Sequence, residues 1–487
     1  MDAAIRVLHV ASEMAPLVKL GGLGDVVGSL PKALREAGVD ARVLLPCYAG
    51  LREHLAAKGF PLVPVKEGEI HVALNWRVYD GQVWETASDG VPVYLLDQPE
   101  LFGDPQVYPR ESTLGATLPF AFLSLGALEL ARIWKPDIFH IHDWPGGLLP
   151  AALAWHRHYR SLQQEYDTVL TIHNMAHQWI LAPGALEAWG FGRDAFTMDR
   201  MEFFGSLNVL KGAIVASDAV TTVSPRYSWE IQTSQGGFGL HGVLEDHRGK
   251  LSGILNGLDY ALWNPESDAM IPAPFSPRDM TGKGRCRQLL LERFGVEDDG
   301  RPILVFVGRL VEQKGVDILL ASLEPFARMG ARTLVLGSGH AVFENALREA
   351  ASRMGGTVGV HLGYDEELAH LLYAGGDILL MPSLFEPCGL SQLIALRYGT
   401  IPVVRAVGGL ADTVIDADGS DDGNGFVFSD YVPHEFSHAV WRALERRRDG
   451  AGWAQIQRRG MAQDYSWYRS AAAYAEVYRR LRGMGRE

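Results

Sequence analysis

The residues best suited to chemistry in this chain stand just after short apolar runs. Residues 19–25 read KLGGLGD, between the apolar run 5–10 and a helical pattern at 26–37. Glycines admit a ligand close to the backbone, and the free N–H groups at a helix start favour phosphate. Lys19 adds a point charge at the same place. The segment matches neither the dinucleotide fingerprint nor the P-loop. It therefore reads either as a phosphate cradle around Lys19, Gly21 and Gly22 or as a tight turn whose glycines serve packing.

Some 290 residues later the pattern recurs with more charge. The run 303–307 leads into Gly308-Arg309-Leu310, and Glu312-Gln313-Lys314-Gly315 opens a helix. Two cations beside a helix N-terminus can clamp a pyrophosphate, and arginine can grip it bidentately. The alternative is a solvated surface pair, but both cations fall at a strand end rather than on the outer face of a helix. Next, Leu336 runs into a second tight turn, Gly337-Ser338-Gly339. The densest cluster is 381–390, MPSLFEPCGL, where Glu386 can accept hydrogen bonds from sugar hydroxyls. Backbone amides at Gly389 and Leu390 start the following helix and can bind phosphate. Cys388 has no histidine or basic neighbour in sequence, so it reads as a packed thiol rather than a nucleophile.

In the first half, His140-Ile141-His142-Asp143 ends a strand, and alternation puts both imidazoles on one side. That spacing serves metals in some hydrolases. No further dense carboxylate or histidine set completes such a site, so no metal is expected. Asp143 and Trp144 suit sugar hydroxyls and a sugar face. His173, in Thr171-Ile172-His173-Asn174, ends the next strand at an equivalent height.

These residues need a scaffold that brings strand ends together. Apolar runs at 7–10, 43–45, 93–96, 138–141, 169–172 and 220–223 alternate with helical patterns such as 116–133 and 206–216. Uninterrupted apolar strands between helices mean parallel strands covered on both faces, a doubly wound α/β layer. The alternating stretch 68–86 reads as an antiparallel hairpin insertion turning at Asp80-Gly81. A seam follows 253–255, and the Pro- and Asp-rich stretch 263–281 reads as a linker. Alternation then restarts with strands at 303–307, 333–336, 358–362, 378–381, 401–404 and 425–428. The expected organisation is a first Rossmann-like domain at 1–258, a hinge at 259–281 with its pivot near 256–259, and a second such domain at 282–465. A tyrosine-rich final helix within 466–487 packs back across the seam. Two such domains facing a central cleft place ligands beyond the carboxyl ends of their strands.

The chain has 487 residues, and its 58 acidic against 45 basic side chains give a formal charge of −13. That balance opposes nonspecific nucleic-acid or anionic-membrane binding, so any phosphate must be held by a local basic cluster. Three scattered cysteines, Cys47, Cys286 and Cys388, make neither a disulfide framework nor a zinc site. With no apolar stretch of membrane-spanning length and no signal-like start, the expected location is the cytoplasm.

Taken in order, KLGGLGD, HIHDW, TIHNMAHQ, LKGAIVASDAVTTVSPRY, ILNGLD, GRLVEQKG, PSLFEPCGLSQ, YGTIPVV and GGLADTV resemble the bacterial and plastid glycogen (starch) synthases of the ADP-glucose-dependent type. The resemblance covers essentially the whole chain. It implies a GT-B fold and transfer of glucose from ADP-glucose to the 4-hydroxyl of an α-1,4-glucan such as glycogen, with retention and without metal or other cofactor. Carried over by position, Lys19, Gly21, Gly22 and Asp25 belong to the donor-binding motif, and Arg309 and Lys314 match the diphosphate-neutralising pair. Glu386 matches the carboxylate that holds the donor glucose, and His173 the histidine beside the reacting carbon. Asp143 and Asn256 match cleft residues near glucose, Tyr364 a residue that can stack on adenine, and Cys388, Gly389, Leu390 and Ser391 the donor-side loop.

The sequence departs from the family at Gly115-Ala116-Thr117-Leu118-Pro119-Phe120, where members commonly carry an Asn and an Arg-Phe pair, which bears on an acceptor-side contact. Leu384 replaces a frequent arginine and Ser391 a usual threonine. Ile394 stands where transferases with a Glu-x₇-Glu motif place a second glutamate, and so argues against that neighbouring family. No carboxylate offers itself as a nucleophile, so front-face attack assisted by the departing phosphate fits better than double displacement. UDP-glucose as donor, a metal-dependent hydrolase built on HIHD, and a glucan-binding protein without catalysis are the remaining alternatives.

Overall fold

The computed structural model describes residues 4–104, 106–109, 111 and 113–483. The chain forms two compact units, one of residues 1–223, 228–257 and 467–487, the other of 224–227 and 258–466.

The first unit is built on a nine-stranded sheet. Arg6–Val10 lies inside it, parallel to Asp40–Pro46 on one side and Ile138–His142 on the other. Val91–Asp97 extends the sheet beyond Asp40–Pro46, while Asp167–Ile172, Ala219–Thr222 and Leu251–Gly253 extend it the other way, all parallel. The strand order therefore reverses between Arg6–Val10 and Ile138–His142, and ligands bind beyond the carboxyl ends of strands at such a point. The loops at 11–21 and 143–147 leave from those two ends.

Two expectations for this half are corrected. The hairpin is longer and turns earlier than Asp80-Gly81: Val63–Leu74 and Arg77–Ser88 meet through Asn75 and Trp76, at φ 50° and 59°. Two successive positive φ values match a primed hairpin turn, whose twist suits the strands. Gly81 lies mid-strand opposite Ile70, where an added Cβ would come 2.8 Å from the Phe122 ring. Its glycine serves close approach, and Asp-Gly misled as a turn signal. Within 206–216, Ser206–Asn208 is a strand, and the Asn208 side chain caps the helix Val209–Ala216 by accepting from Lys211 N at 2.9 Å.

The second unit is a six-stranded, wholly parallel sheet. Val358–Leu362, Arg332–Gly337 and Ile303–Val307 lead to Ile378–Met381, Ile401–Arg405 and Phe426–Phe428. The order reverses between Ile303–Val307 and Ile378–Met381. Apolar clusters cover both faces of this sheet, as its uninterrupted apolar strands require. Residues 259–281, read from sequence as a hinge, are instead packed into this unit, with Ile271 and Phe275 in its core. Trp263 stacks on His370 with ring centroids 3.9 Å apart. Asp268 meets His370 Nδ1 at 2.7 Å and accepts from the Tyr398 hydroxyl at 2.5 Å. Prolines and aspartates hide this anchoring because the apolar residues between them follow neither helix nor strand period.

The final helix, Trp467–Leu481, belongs to the first unit. Its Ala471, Tyr474, Ala475 and Tyr478, spaced along one face, join Val26, Leu30 and Ala33 of the helix Gly22–Glu36 in one core. No helix among the described residues is long and apolar enough to cross a membrane.

Candidate active site

In the second unit the two loops at the strand-order reversal are tied together. The Leu384 amide donates to Gln313 O at 2.9 Å, and Arg405 Nη1 donates to Leu384 O at 2.6 Å. Gly315 follows Lys314 at φ 72°, and an added Cβ there would lie 2.0 Å from Pro382 O, so only glycine lets the loops approach this closely. Lys314 Nζ then sits 2.6 Å from Glu386 Oε2, which also accepts from Ser383 Oγ at 3.1 Å. The Glu386 side chain is 6% exposed, so the lysine compensates a nearly buried carboxylate. Arg309 is exposed and donates to Gln313 Oε1 at 3.2 Å.

The loop holding Glu386 is braced from beneath by Gly408 and Gly409. The Gly409 amide donates to Glu386 O and Pro387 O, and a Cβ on Gly409 would meet Cys388 O at 2.2 Å. Cys388, Cys47 and Cys286 are buried, and among the described residues none of them forms a disulfide. Gly389 has φ 78°, and Gln392 Nε2 donates to the carbonyls of Cys388 and Gly389, both at 3.0 Å. Leu390 and Ser391 begin the helix Ser391–Arg397. Tyr364 follows the strand Val358–Leu362 and is 78% exposed.

In the first unit the glycine-rich loop is organised by a residue that sequence reading passed over. Glu13, nearly buried, accepts from the amides of Leu20 (2.6 Å) and Gly21 (2.9 Å) through Oε2, and from the Tyr108 hydroxyl (2.5 Å) through Oε1. Lys19 Nζ pairs with Asp25 Oδ1 at 2.7 Å, across the first turn of the helix Gly22–Glu36. The Gly21 amide is thus held by a carboxylate within the protein. Glu13 follows the strand Arg6–Val10, a strand-end position that alone could have marked it.

Asp143 carries the neighbouring loop at φ 56°, outside the usual region for a non-glycine residue. Its Oδ1 accepts from the His173 amide at 2.7 Å. Burial, the leading cause, pushes its carboxyl up to about 7, against the opposing pull of backbone hydrogen bonds from His173 and Asn174. His173 is pushed down to about 3 by burial and is therefore a neutral imidazole. Asn256 is buried, and its Oδ1 has no hydrogen-bond partner among the described residues. Beside this set Trp144, Gln178, Trp179 and Phe238 help line a cavity of about 470 Å³. The Trp144 and Trp179 rings are 4.2 Å apart, and Phe120 packs edge-on against both.

His140 and His142 do share a face, and His9 joins them from the adjacent strand, so the three could approach one metal ion. Apart from His9 Nε2, their ring nitrogens are otherwise engaged. Thr221 Oγ1 donates to Leu170 O at 3.5 Å and takes Thr171 Oγ1 at 2.6 Å; that hydroxyl meets His140 Nε2 at 2.6 Å, and the Tyr478 hydroxyl meets His140 Nδ1 at 2.7 Å. A carbonyl can only accept, so when Thr221 donates to Leu170 the chain runs through His140 as the Nε2–H tautomer receiving from Tyr478. His142 uses both nitrogens on other histidines at 3.0 Å. The cluster does not offer a metal the three free lone pairs it needs.

Known proteins with the same plan are numerous. Residues 6–246 match the family described as starch synthase catalytic domain, and 291–459 match glycosyl transferases group 1. Glycogen synthase 2 of Geobacter metallireducens is 42% identical over 98% of this chain and 98% of its own length. Glycogen synthase of Rhodospirillum rubrum is 43% identical over 97% and 98%. Among solved structures, the catalytic domain of starch synthase IV from Arabidopsis thaliana, bound to ADP and acarbose, superposes with a TM-score of 0.90. It is 33% identical and covers 98% of this chain and 99% of that one.

Proposed function

The chain belongs to the glycogen and starch synthase family of retaining GT-B glucosyltransferases, and on that premise we propose that it moves glucose from ADP-glucose to the non-reducing 4-hydroxyl of an α-1,4-glucan. The observation that carries the donor reading is the Lys314–Glu386 pair at 2.6 Å, one cation for phosphate beside one carboxylate for sugar. As the anomeric C–O bond breaks, negative charge grows on the β-phosphate. Arg309, Lys314 and the amides at 389–391 answer that charge from one loop cluster, the kind of preorganised stabilisation worth most in a dry site. These cations do the work for which many phosphate enzymes use a divalent ion, so the reaction proceeds without one. Glu386, oriented through Oε2 by Lys314 and Ser383, receives hydroxyls of the donor glucose.

By the family resemblance Lys19, Gly21, Gly22 and Asp25 are assigned to donor binding, Asp143, His173 and Asn256 to the sugar, and Tyr364 to the base. The aromatic cavity at Trp144 and Trp179 suits the apolar faces of a glucan, with Gln178 for its hydroxyls. Asp143 is committed to a backbone amide and Glu386 to a lysine, which leaves neither as a ready nucleophile. Attack from the face the phosphate leaves, with that phosphate taking the acceptor proton, follows; a trapped covalent glucosyl-enzyme would contradict it. The acidic chain and its lack of spanning helices among the described residues suit work on a soluble polymer in the cytoplasm. ADP-glucose and UDP-glucose assayed side by side with glycogen test the donor: the adenine sugar should give the higher kcat/KM, and a preference for the uridine sugar would overturn the assignment.

A further inference from the structure

His9 and His142 lie in neighbouring parallel strands, His173 follows the end of the next one, and the three are joined head to tail. His9 Nδ1 lies 3.0 Å from His142 Nε2, and His142 Nδ1 lies 3.0 Å from His173 Nε2. His9 and His142 are fully buried, whereas His173 is part-exposed. The far nitrogen of the innermost ring, His9 Nε2, is buried with no hydrogen-bond partner among the described residues.

Neutral imidazole has one donor nitrogen and one acceptor nitrogen, so a chain of three can be protonated in only two ways. In one, His9 Nδ1–H donates to His142, His142 Nδ1–H donates to His173 Nε2, and His173 carries its proton on Nδ1. In the other every proton is on Nε2, and His173 presents a bare Nδ1 lone pair. The two differ at the buried end. The first leaves His9 Nε2 as an unpaired acceptor, while the second leaves it as an unpaired N–H, the rarer and costlier orphan in a protein interior. Burial keeps all three rings neutral, since it pushes His9 and His173 down to about 3 and His142 below its ordinary range. Neutrality holds the chain to these two patterns.

We infer that His9 and His142 are positioning residues: their relay fixes His173 as the Nδ1–H tautomer, so that it offers a hydrogen-bond donor to an acceptor oxygen of the bound sugar or its leaving phosphate. This rests on the proposed role of His173 at the donor glucose and adds the sign of its contact. No proton needs to travel along the chain. The relay sets which end of His173 carries it.

The test is ¹⁵N-histidine labelling of the full-length protein, with long-range ¹H–¹⁵N correlation to read each ring's tautomer, alongside steady-state kinetics of three variants. His173 and His9 should both read as Nδ1–H in the wild type. His9→Leu removes the first donor and should lower kcat by about 10–100-fold, the effect that outer hydrogen-bond partners of functional histidines command, with little change in KM. His9→Asn, whose amide can stand in for Nδ1–H, should recover most of the rate and keep His173 as Nδ1–H. A wild-type His173 protonated on Nε2 overturns the inference, as does a folded His9→Leu protein with full kcat. Should His9→Leu fail to fold, the wild-type spectrum and the Asn variant still decide. An Nδ1–H reading with normal turnover in His173→Ala would instead leave the relay standing and remove the proposed role of His173.

Discussion

Arg309 and Lys314 sit in one loop but do different work before any ligand arrives. Arg309 is exposed, whereas Lys314 neutralises a nearly buried Glu386. Arg309→Ala should therefore lower kcat by about 10²–10³ and leave the melting temperature unchanged. Lys314→Ala should lower kcat to a similar degree and also destabilise the fold by up to about 3–5 kcal/mol, since an uncompensated carboxylate remains. Kinetics and thermal melts of both variants check the contrast. Asp143 gives a pH signature. Its carboxyl, ordinarily near 3.8, is pushed up to about 7 by burial, so between those values the folded state binds a proton that the unfolded state releases. Its contribution to stability is greatest on the acid side and falls as pH rises from about 4 through 7. Asp143→Asn keeps the oxygen that accepts from His173 and should flatten that part of the Tm-versus-pH curve; an unchanged slope would remove Asp143 as its source. Charge at strand ends made Arg309, Lys314, Glu386 and Asp143 readable. His9 escaped because an imidazole inside an apolar strand shows no partner until the neighbouring strand is laid beside it, and Glu13 because its partners, the Leu20 and Gly21 amides and the Tyr108 hydroxyl, meet it only when the loops fold.

At the level of elements, the loops are set by glycines more than by side chains. Gly315 combines φ 72° with a neighbouring carbonyl where a Cβ would sit. Gly315→Ala should cost about 1–2 kcal/mol for the left-handed backbone and a further 1–3 kcal/mol or so for overpacking. Urea unfolding measures that loss, and kcat should drop with it as Lys314 moves off Glu386; a variant with wild-type stability and rate would show that the loop tolerates the side chain. The parallel strands were legible because doubly covered strands are uniformly apolar. The hairpin turn was not, since Asn75 and Trp76 adopt positive φ without glycine while Asp80-Gly81 carries a turn signal inside a strand. The stretch 259–281 was read as a hinge for a related reason: its packing on His370 and Tyr398 depends on partners about a hundred residues away.

For the whole molecule, the first six parallel strands of the first unit follow the same order as the six strands of the second, and in each unit candidate site loops leave from the point where that order reverses. In the first unit those loops carry the glycine-rich segment and Asp143, beside the inferred histidine relay; in the second they carry Arg309, Lys314 and Glu386. The activity proposed for the chain is a metal-free glucosyl transfer dependent on a glucan acceptor. Its most direct test is ADP release from ADP-glucose, with and without glycogen, in the presence of EDTA. Release that needs glycogen and survives the chelator is the predicted result. Release abolished by EDTA and restored by a divalent ion, or no release despite glycogen binding, would contradict it.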